Sequence, residues 1–186
     1  MILAAGWAEP TTLQALIDAG ARLDARNTNG WTATMMAAGR GDVANLELLT
    51  SAGANIEARN KYGQTALMLS CHASNTEKAK SLLDAGASVN TRDDQGVTAL
   101  AIASSGQSEL DLLNLLVSAG ADVNAADNDG VTPLMKAAEY GDEAKVRALL
   151  GASADPKLTD HQGKTARDWA LSRDDDIGHK IADILR

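Results

Sequence analysis

Residues 127–138 read DNDGVTPLMKAA, and this stretch decides the fold. A polar turn ending at Gly130 precedes Thr132, which can cap a helix, and Pro133 follows where a missing N–H costs nothing. Versions of the stretch recur along the chain, each with a glycine two residues before a threonine: Gly30, Gly63, Gly96 and Gly163. Successive glycines are 33 or 34 residues apart, which indicates a tandem repeat.

A second marker keeps the same period. Ala-Gly-Ala triplets begin at Ala19, Ala52, Ala85 and Ala119, and a degraded Ala-Ser-Ala begins at Ala152. Glycine suits the left-handed residue that ends a helix. Apolar residues between the markers are spaced by three and four, which predicts two helices in each unit. Each helix is about ten residues, below the roughly 12–15 needed for stability alone, so the repeats must stabilise one another by stacking.

The unit resembles the ankyrin repeat. The family pattern Asp-x-x-Gly-x-Thr-Pro-Leu-His-x-Ala-Ala is best matched by residues 127–138, and Gly-Ala-Asp-Val-Asn-Ala matches residues 120–125 outright. The resemblance covers essentially the whole chain. It implies an all-α repeat, an ankyrin solenoid of helix-turn-helix units joined by β-hairpin-like loops. In place of the family's histidine, which usually ties neighbouring loops by hydrogen bonds, the chain has Met35, Met68, Ala101, Met135 and Asp168.

We predict a single repeat domain over residues 1–186. It comprises a partial first repeat (1–26), four full repeats (27–59, 60–92, 93–126 and 127–159) and a C-terminal capping repeat (160–186). The third full repeat should hold its extra residue between its helices, near Gly106 to Glu109. The first repeat lacks its turn, so the chain either was cut from a longer protein or begins with a reduced cap. We favour the cut, because Leu3 and Trp7 are apolar at an edge that should be polar.

The sequence shows no pattern for catalysis or metal binding. The histidines lie in different repeats without metal-ligand spacing: His72, His161 and His179. Walker loops, dinucleotide-binding glycines and a nucleophile elbow are missing. The turn at Asp127 begins like a calcium loop, but Val131 and Ala138 stand where oxygen ligands are needed. We therefore expect no enzyme, no cofactor and no metal site.

Charge and composition narrow the function classes further. The net charge is −8 and no concentrated basic face is apparent, so nucleic acid is not an expected partner. The acidity serves either solubility or a basic partner. The single cysteine, Cys71, excludes an internal disulfide and aligns with alanines, so we expect a buried thiol. No apolar run approaches about 18 residues, which predicts no membrane span. We expect a cytoplasmic monomer, with removal of a signal before residue 1 left open.

The resemblance also implies a concave protein-binding face made of loop tips and inner helices. Mapped onto this chain, the candidate partner-binding residues are Trp31, Arg40, Lys61, Tyr62, Gln64, Asp94, Gln95, Asn128, Asp129, Glu139 and Tyr140. Turn formation does not require the three aromatic residues, which are therefore candidate hot spots. The alternative is that Trp31 and Tyr62 only shield neighbouring loops. The face is aromatic and cationic early and acidic later, which suits a partner with an apolar anchor followed by basic residues.

We predict a non-catalytic scaffold for protein–protein interaction. The alternative is a targeting or regulatory ankyrin segment of a larger enzyme or bacterial effector, whose chemistry lies outside this chain. An engineered binder is a third possibility, and the irregular repeats argue against it.

Overall fold

The computed structural model describes residues 1–106 and 108–186, and the chain divides into two compact units, Met1–Asp94 and Gln95–Arg186. The extra residue that was predicted near Gly106 to Glu109 falls on a segment whose Gln107 lies outside the described residues. None of the described helices has the length and apolar character that a membrane crossing requires.

The first unit, all of whose residues are described, consists of three helix pairs. The pairs are α1 (Ile2–Trp7) with α2 (Pro10–Asp18), α3 (Ala33–Arg40) with α4 (Val43–Ser51), and α5 (Ala66–His72) with α6 (Thr76–Asp84). The inner helices α1, α3 and α5 pack side by side in one row, and the outer helices α2, α4 and α6 pack in a second row.

The described residues of the second unit repeat this arrangement. The pairs are α7 (Ala99–Ser104) with α8 (Leu110–Ser118), α9 (Pro133–Tyr140) with α10 (Glu143–Gly151), and α11 (Ala166–Leu171) with α12 (Asp176–Ile184). The inner helices α7, α9 and α11 form a row, α8 packs on α10, and α12 packs on both α11 and α9.

A threonine sets the start of each inner helix from α3 onward. Its hydroxyl oxygen accepts a hydrogen bond from the backbone N–H three residues later, at 3.3–3.5 Å, which satisfies one of the unpaired donors of the first turn. The residues are Thr32, Thr65, Thr98, Thr132 and Thr165. The predicted caps and the predicted place of Pro133 as the first residue of α9 are confirmed.

The helices are six to nine residues long, somewhat shorter than the sequence predicts. They are short because the interhelical turn and a left-handed residue both take part of the repeat. Gly53 is such a residue: its φ is +81°, and its N–H donates to the carbonyl of Thr50 at 3.0 Å. The helix-ending role predicted for this glycine series is confirmed.

Small residues let the inner helices pack closely. Ala37 and Ala38 of α3 are fully buried, as is Ala5 of α1. A Cβ added to Gly41 would lie 2.2 Å from the carbonyl oxygen of Ala5, so only glycine fits at this contact. Cys71 is buried in α5, and burial raises the pKa of its thiol to about 12, as expected of an inert structural cysteine.

The loops between repeats are hairpin-like. In the loop that begins at Asn27, the N–H of Gly30 donates to the carbonyl of Asn27 at 2.9 Å, and the N–H of Asn27 donates to the carbonyl of Trp31 at 3.1 Å. The loops are also joined to each other, since the N–H of Lys61 donates to the carbonyl of Asn29 at 3.1 Å. In the described parts of the chain these loops do not extend into strands.

Candidate functional site

The first unit contains a groove of about 360 Å³, which we call the aromatic groove. It lies beside the loops that begin at Asn27 and Asn60. Its lining residues are Asn27, Asn29, Trp31, Met36, Arg40 and Tyr62. Three residues that the sequence analysis assigned to partner binding, Trp31, Arg40 and Tyr62, therefore lie together around one depression.

Trp31 is held in place by its loop. Its backbone N–H donates to Oδ1 of Asn27 at 3.0 Å, and its carbonyl accepts from the N–H of Asn27. The indole ring lies beside Gly39 of α3, with ring atoms 3.8 and 4.0 Å from the place that a Cβ of Gly39 would occupy. The side chain stays half-buried. A fixed backbone thus presents a large ring that the core does not enclose.

Tyr62 and Lys61 form the neighbouring wall. The Tyr62 side chain is 56% exposed. Nζ of Lys61 lies 5.1 Å from the centre of the Tyr62 ring, within the range of a cation–π contact. The same ammonium group donates to Oδ1 of Asn29 at 2.7 Å, and so bridges two consecutive loops. Lys61 therefore limits the motion of this side of the groove and places a positive charge at its rim.

Arg40 is the last residue of α3 and is exposed. Within the described part of the chain, its guanidinium has neither a hydrogen bond nor an ion pair. A guanidinium without a carboxylate partner keeps its donors available for a ligand.

Two other predicted residues of the first unit are engaged by the fold itself. Oε1 of Gln64 accepts from Nδ2 of Asn60 at 3.0 Å. Oδ1 of Asp94 lies 3.3 Å from Nη2 of Arg59, and Nε of Arg59 donates to the carbonyl of Gly63 at 2.9 Å. Gln64 and Asp94 do not line the aromatic groove.

The second unit contains a groove of about 290 Å³ of different character, which we call the acidic groove. Its lining residues are Asp127, Asp129, Val131, Lys136, Asp160, His161, Gln162 and Trp169. Nε1 of Trp169 donates to Oδ2 of Asp160 at 2.9 Å, and Nζ of Lys136 lies 5.2 Å from the centre of the Trp169 ring. Lys136 thus makes a cation–π contact with Trp169, as Lys61 does with Tyr62.

The family model described as ankyrin repeats (3 copies) matches residues 1–93, 45–127 and 99–186. The chain belongs to the ankyrin repeat family. The predicted fold class, an all-α ankyrin repeat fold with hairpin-like loops, is confirmed. Ankyrin repeats are generally protein-interaction modules, and the family is typically non-catalytic. No curated protein matches the chain significantly.

The remaining predicted residues lie on the second ankyrin unit. Asp129 lines the acidic groove, whereas Gln95 and Asn128 lie outside its lining, where the N–H of Asn128 donates to the carbonyl of Gln95 at 2.9 Å. Glu139 is partly neutralised, with Oε2 at 3.2 Å from Nζ of Lys136. Tyr140 ends α9 and is 52% exposed. Of the predicted residues, Trp31, Arg40 and Tyr62 therefore line the aromatic groove, Asp129 lines the acidic groove, and the others line neither groove.

The sequence analysis did not assign Trp169 to partner binding. Its signal in the sequence is its place in the repeat: it stands four residues after the capping Thr165, as Met36 stands four residues after Thr32. Met36 and Trp169 each line the groove of their own unit. Among residues 1–106 and 108–186, no group of histidine, cysteine, aspartate and glutamate side chains is placed so that it could hold a metal ion.

Proposed function

We propose that this ankyrin chain is a protein-interaction module that binds a partner protein in the aromatic groove. The single observation that carries the proposal is that Trp31, Tyr62 and Arg40 line one open depression. Tryptophan, tyrosine and arginine are the residue types most enriched among interface hot spots. Their side chains combine large apolar area with directional hydrogen-bond donors.

The repeat itself supports a role for these rings beyond folding. The position of Trp31 is held in the other repeats by much smaller or polar residues: Gln64, Val97, Val131 and Lys164. The position of Tyr62 is likewise held by Asn29, Gln95, Asp129 and Gln162. The loop hydrogen bonds use backbone atoms and the first residue of the turn, so the fold does not depend on an aromatic ring at either position.

The first prediction uses a substitution that the chain already tolerates. Trp31→Gln installs the residue that the next repeat has at this position, so the fold should persist while the anchor ring is lost. We expect affinity for the authentic partner, isolated by affinity capture with the wild-type chain, to fall by about 2 kcal/mol. That loss corresponds to a roughly 30-fold rise in Kd, measured by isothermal titration calorimetry with both proteins purified.

A matched control is Glu47→Gln, an exposed change on the outer helix α4. We expect its Kd to equal that of the wild type. Circular dichroism should give the same helix content for all three proteins. If Trp31→Gln folds and binds the partner with unchanged affinity, the aromatic groove is not the binding site.

A further inference from the structure

We infer that the aromatic groove receives an acidic peptide segment, in which a large apolar or aromatic side chain adjoins an aspartate or glutamate carboxylate. The inference rests on the proposed function and adds the chemistry of the partner. Three observations on the described residues of the first unit support it: the aromatic groove has unpaired hydrogen-bond donors, its charged groups are positive, and apolar side chains form part of its lining.

The unbonded polar groups of the groove are almost all donors. Oδ1 of Asn27 accepts from the N–H groups of Asn29 and Trp31, and Oδ1 of Asn29 accepts from the ammonium of Lys61. Because all of these partners are N–H donors, they fix the orientation of both amides. Each amide therefore keeps its Nδ2 donors free of any described partner, as do the indole N–H of Trp31 and the guanidinium of Arg40. A ligand that satisfies these N–H donors must carry hydrogen-bond acceptors.

The charge of the groove is positive although the chain as a whole is acidic. Arg40 lines it and Lys61 stands at its rim, while none of its lining residues is a carboxylic acid. The nearby carboxylate of Asp94 is paired with Arg59. Of the net charge of −8, the first unit, with eight basic and ten acidic residues, contributes little, and the second, with nine and fifteen, contributes most. Carboxylates form strong charge-assisted hydrogen bonds with guanidinium, and complementary charge selects partners.

The groove combines these donors with apolar surface and is large enough for a side chain. Met36 and the rings of Trp31 and Tyr62 line it, and its volume of about 360 Å³ lies at the lower end of the roughly 300–1,000 Å³ typical of ligand pockets. In the proposed complex, a phenylalanine or leucine side chain occupies the groove beside these rings, and a neighbouring carboxylate pairs with Arg40. The acidic groove of the second unit, with Asp127 and Asp129, offers no such match.

The test is a selection from a phage-displayed library of random peptides, made in parallel with the wild-type chain, Trp31→Gln, Arg40→Glu and Arg22→Glu. Arg22 is exposed and outside the groove, so Arg22→Glu matches the charge change of Arg40→Glu. We expect wild type and Arg22→Glu to enrich peptides with a large apolar residue next to Asp or Glu. Trp31→Gln should lose them, and Arg40→Glu should enrich Lys or Arg at the acidic position.

One selected peptide then gives the quantitative test by fluorescence anisotropy. Arg40→Glu should weaken its binding by at least roughly tenfold, since like charges then face each other. Changing the peptide's acidic residue to lysine should restore affinity for Arg40→Glu and weaken binding to the wild type. Added salt should weaken the wild-type complex with the acidic peptide, because the pair is partly solvent-exposed.

The outcomes separate the two claims. Peptides that require Trp31 but show no acidic preference, or that prefer Lys or Arg, overturn the inference and leave the proposed function standing. A selection that yields no peptide dependent on Trp31 contradicts the proposed function, and the inference fails with it. Recovery of the same acidic peptides with Arg40→Glu also overturns the inference, because the guanidinium then does not select them.

Discussion

Ser153 occupies a backbone position that elsewhere in this chain belongs to glycine. Its φ is +69°, and the matching residues of the other repeats are Gly20, Gly53, Gly86 and Gly120, with φ between +76° and +92°. A side chain in the left-handed region is strained by about 1–2 kcal/mol, while glycine loses more backbone entropy on folding. The protein therefore retains a local conformation that its residue does not favour.

Ser153→Gly should relieve this strain. We expect the free energy of unfolding to rise by about 0.5–1 kcal/mol, the difference between the two opposing effects, measured by urea denaturation. Ser81→Gly, placed within α6, is the control and should lower stability by about 0.5 kcal/mol. A Ser153→Gly variant less stable than the wild type would mean that the serine makes a compensating interaction.

Gly53→Val tests the same conformation from the opposite side. No heavy atom lies within 4 Å of the place that its Cβ would occupy, so backbone strain alone should destabilise the variant. We expect a loss of about 1–2 kcal/mol in the free energy of unfolding. An unchanged melting temperature would show that residue 53 is not left-handed in solution.

Side chains of the outer helices donate hydrogen bonds to backbone carbonyls at or near the ends of the inner helices. From α4 onward the third residue of each outer helix is buried, and in two cases it is a lysine: Nζ of Lys78 donates to the carbonyl of Ala38 at 3.3 Å, and Nζ of Lys145 to that of Gly106 at 3.1 Å. Asn45 does the same with its amide, donating to the carbonyl of Ala8 at 2.9 Å. The carbonyls of Ala8 and Ala38 lie at the ends of α1 and α3, and that of Gly106 lies just beyond α7. Carbonyls at helix ends lack intrahelical donors and attract positive charge.

Lys145→Met should remove one such hydrogen bond while keeping a side chain of similar length. The partly buried carbonyl of Gly106 loses its donor and Asp142, 3.5 Å from Nζ, loses its cation, so we expect the free energy of unfolding to fall by about 2 kcal/mol. Urea denaturation is the measurement. Lys80→Met, an exposed change in α6, should alter stability by less than about 0.5 kcal/mol. If Lys145→Met and Lys80→Met change the free energy of unfolding equally, the hydrogen bond from Lys145 to Gly106 does not stabilise the fold in this way.

The sequence predicts the elements well and the contacts between them poorly, for a physical reason. Threonine caps and left-handed glycines act within a few residues, so Thr65 and Gly53 carry their meaning in the local sequence. Lys145 reads as an ordinary surface residue of an amphipathic helix, and only the neighbouring repeat shows that it is buried. Trp169 was missed as a groove residue in the same way, because its significance depends on Lys136 and Asp160 from other segments. The partner-binding residues stay predictions.

The negative charge of the chain is distributed unevenly between its two units. The sequence-based hypothesis of a basic partner drew on the acidic residues of later repeats, and the aromatic groove lies in the half where acids and bases nearly balance. In the second unit, several carboxylates are engaged by donors. Hydrogen bonds from Thr165 lower the pKa of Asp168, and the Arg173 guanidinium lowers the pKa of Asp175.

These two carboxylates should make the protein acid-sensitive. Their folded pKa lies below the ordinary value of 3.8, so their stabilisation is present above that value and is lost as the pH falls through the lowered pKa. We expect the urea midpoint of the wild type to fall as the pH is lowered from about 4 to about 2, and that of an Asp168→Asn, Asp175→Asn variant to fall less. The same pH dependence in both proteins would show that other groups control acid unfolding.

Backbone hydrogen bonds join successive loop tips, as between Lys61 and Asn29 in the first unit and between His161 and Asp129 in the second. These backbone contacts do not depend on which side chains the tips carry, although Lys61 and Asn29 add a side-chain hydrogen bond to their junction. Mutation can change an exposed side chain at a tip, such as Thr28, without breaking these backbone hydrogen bonds, so a new binding surface can evolve or be engineered there while the junctions persist.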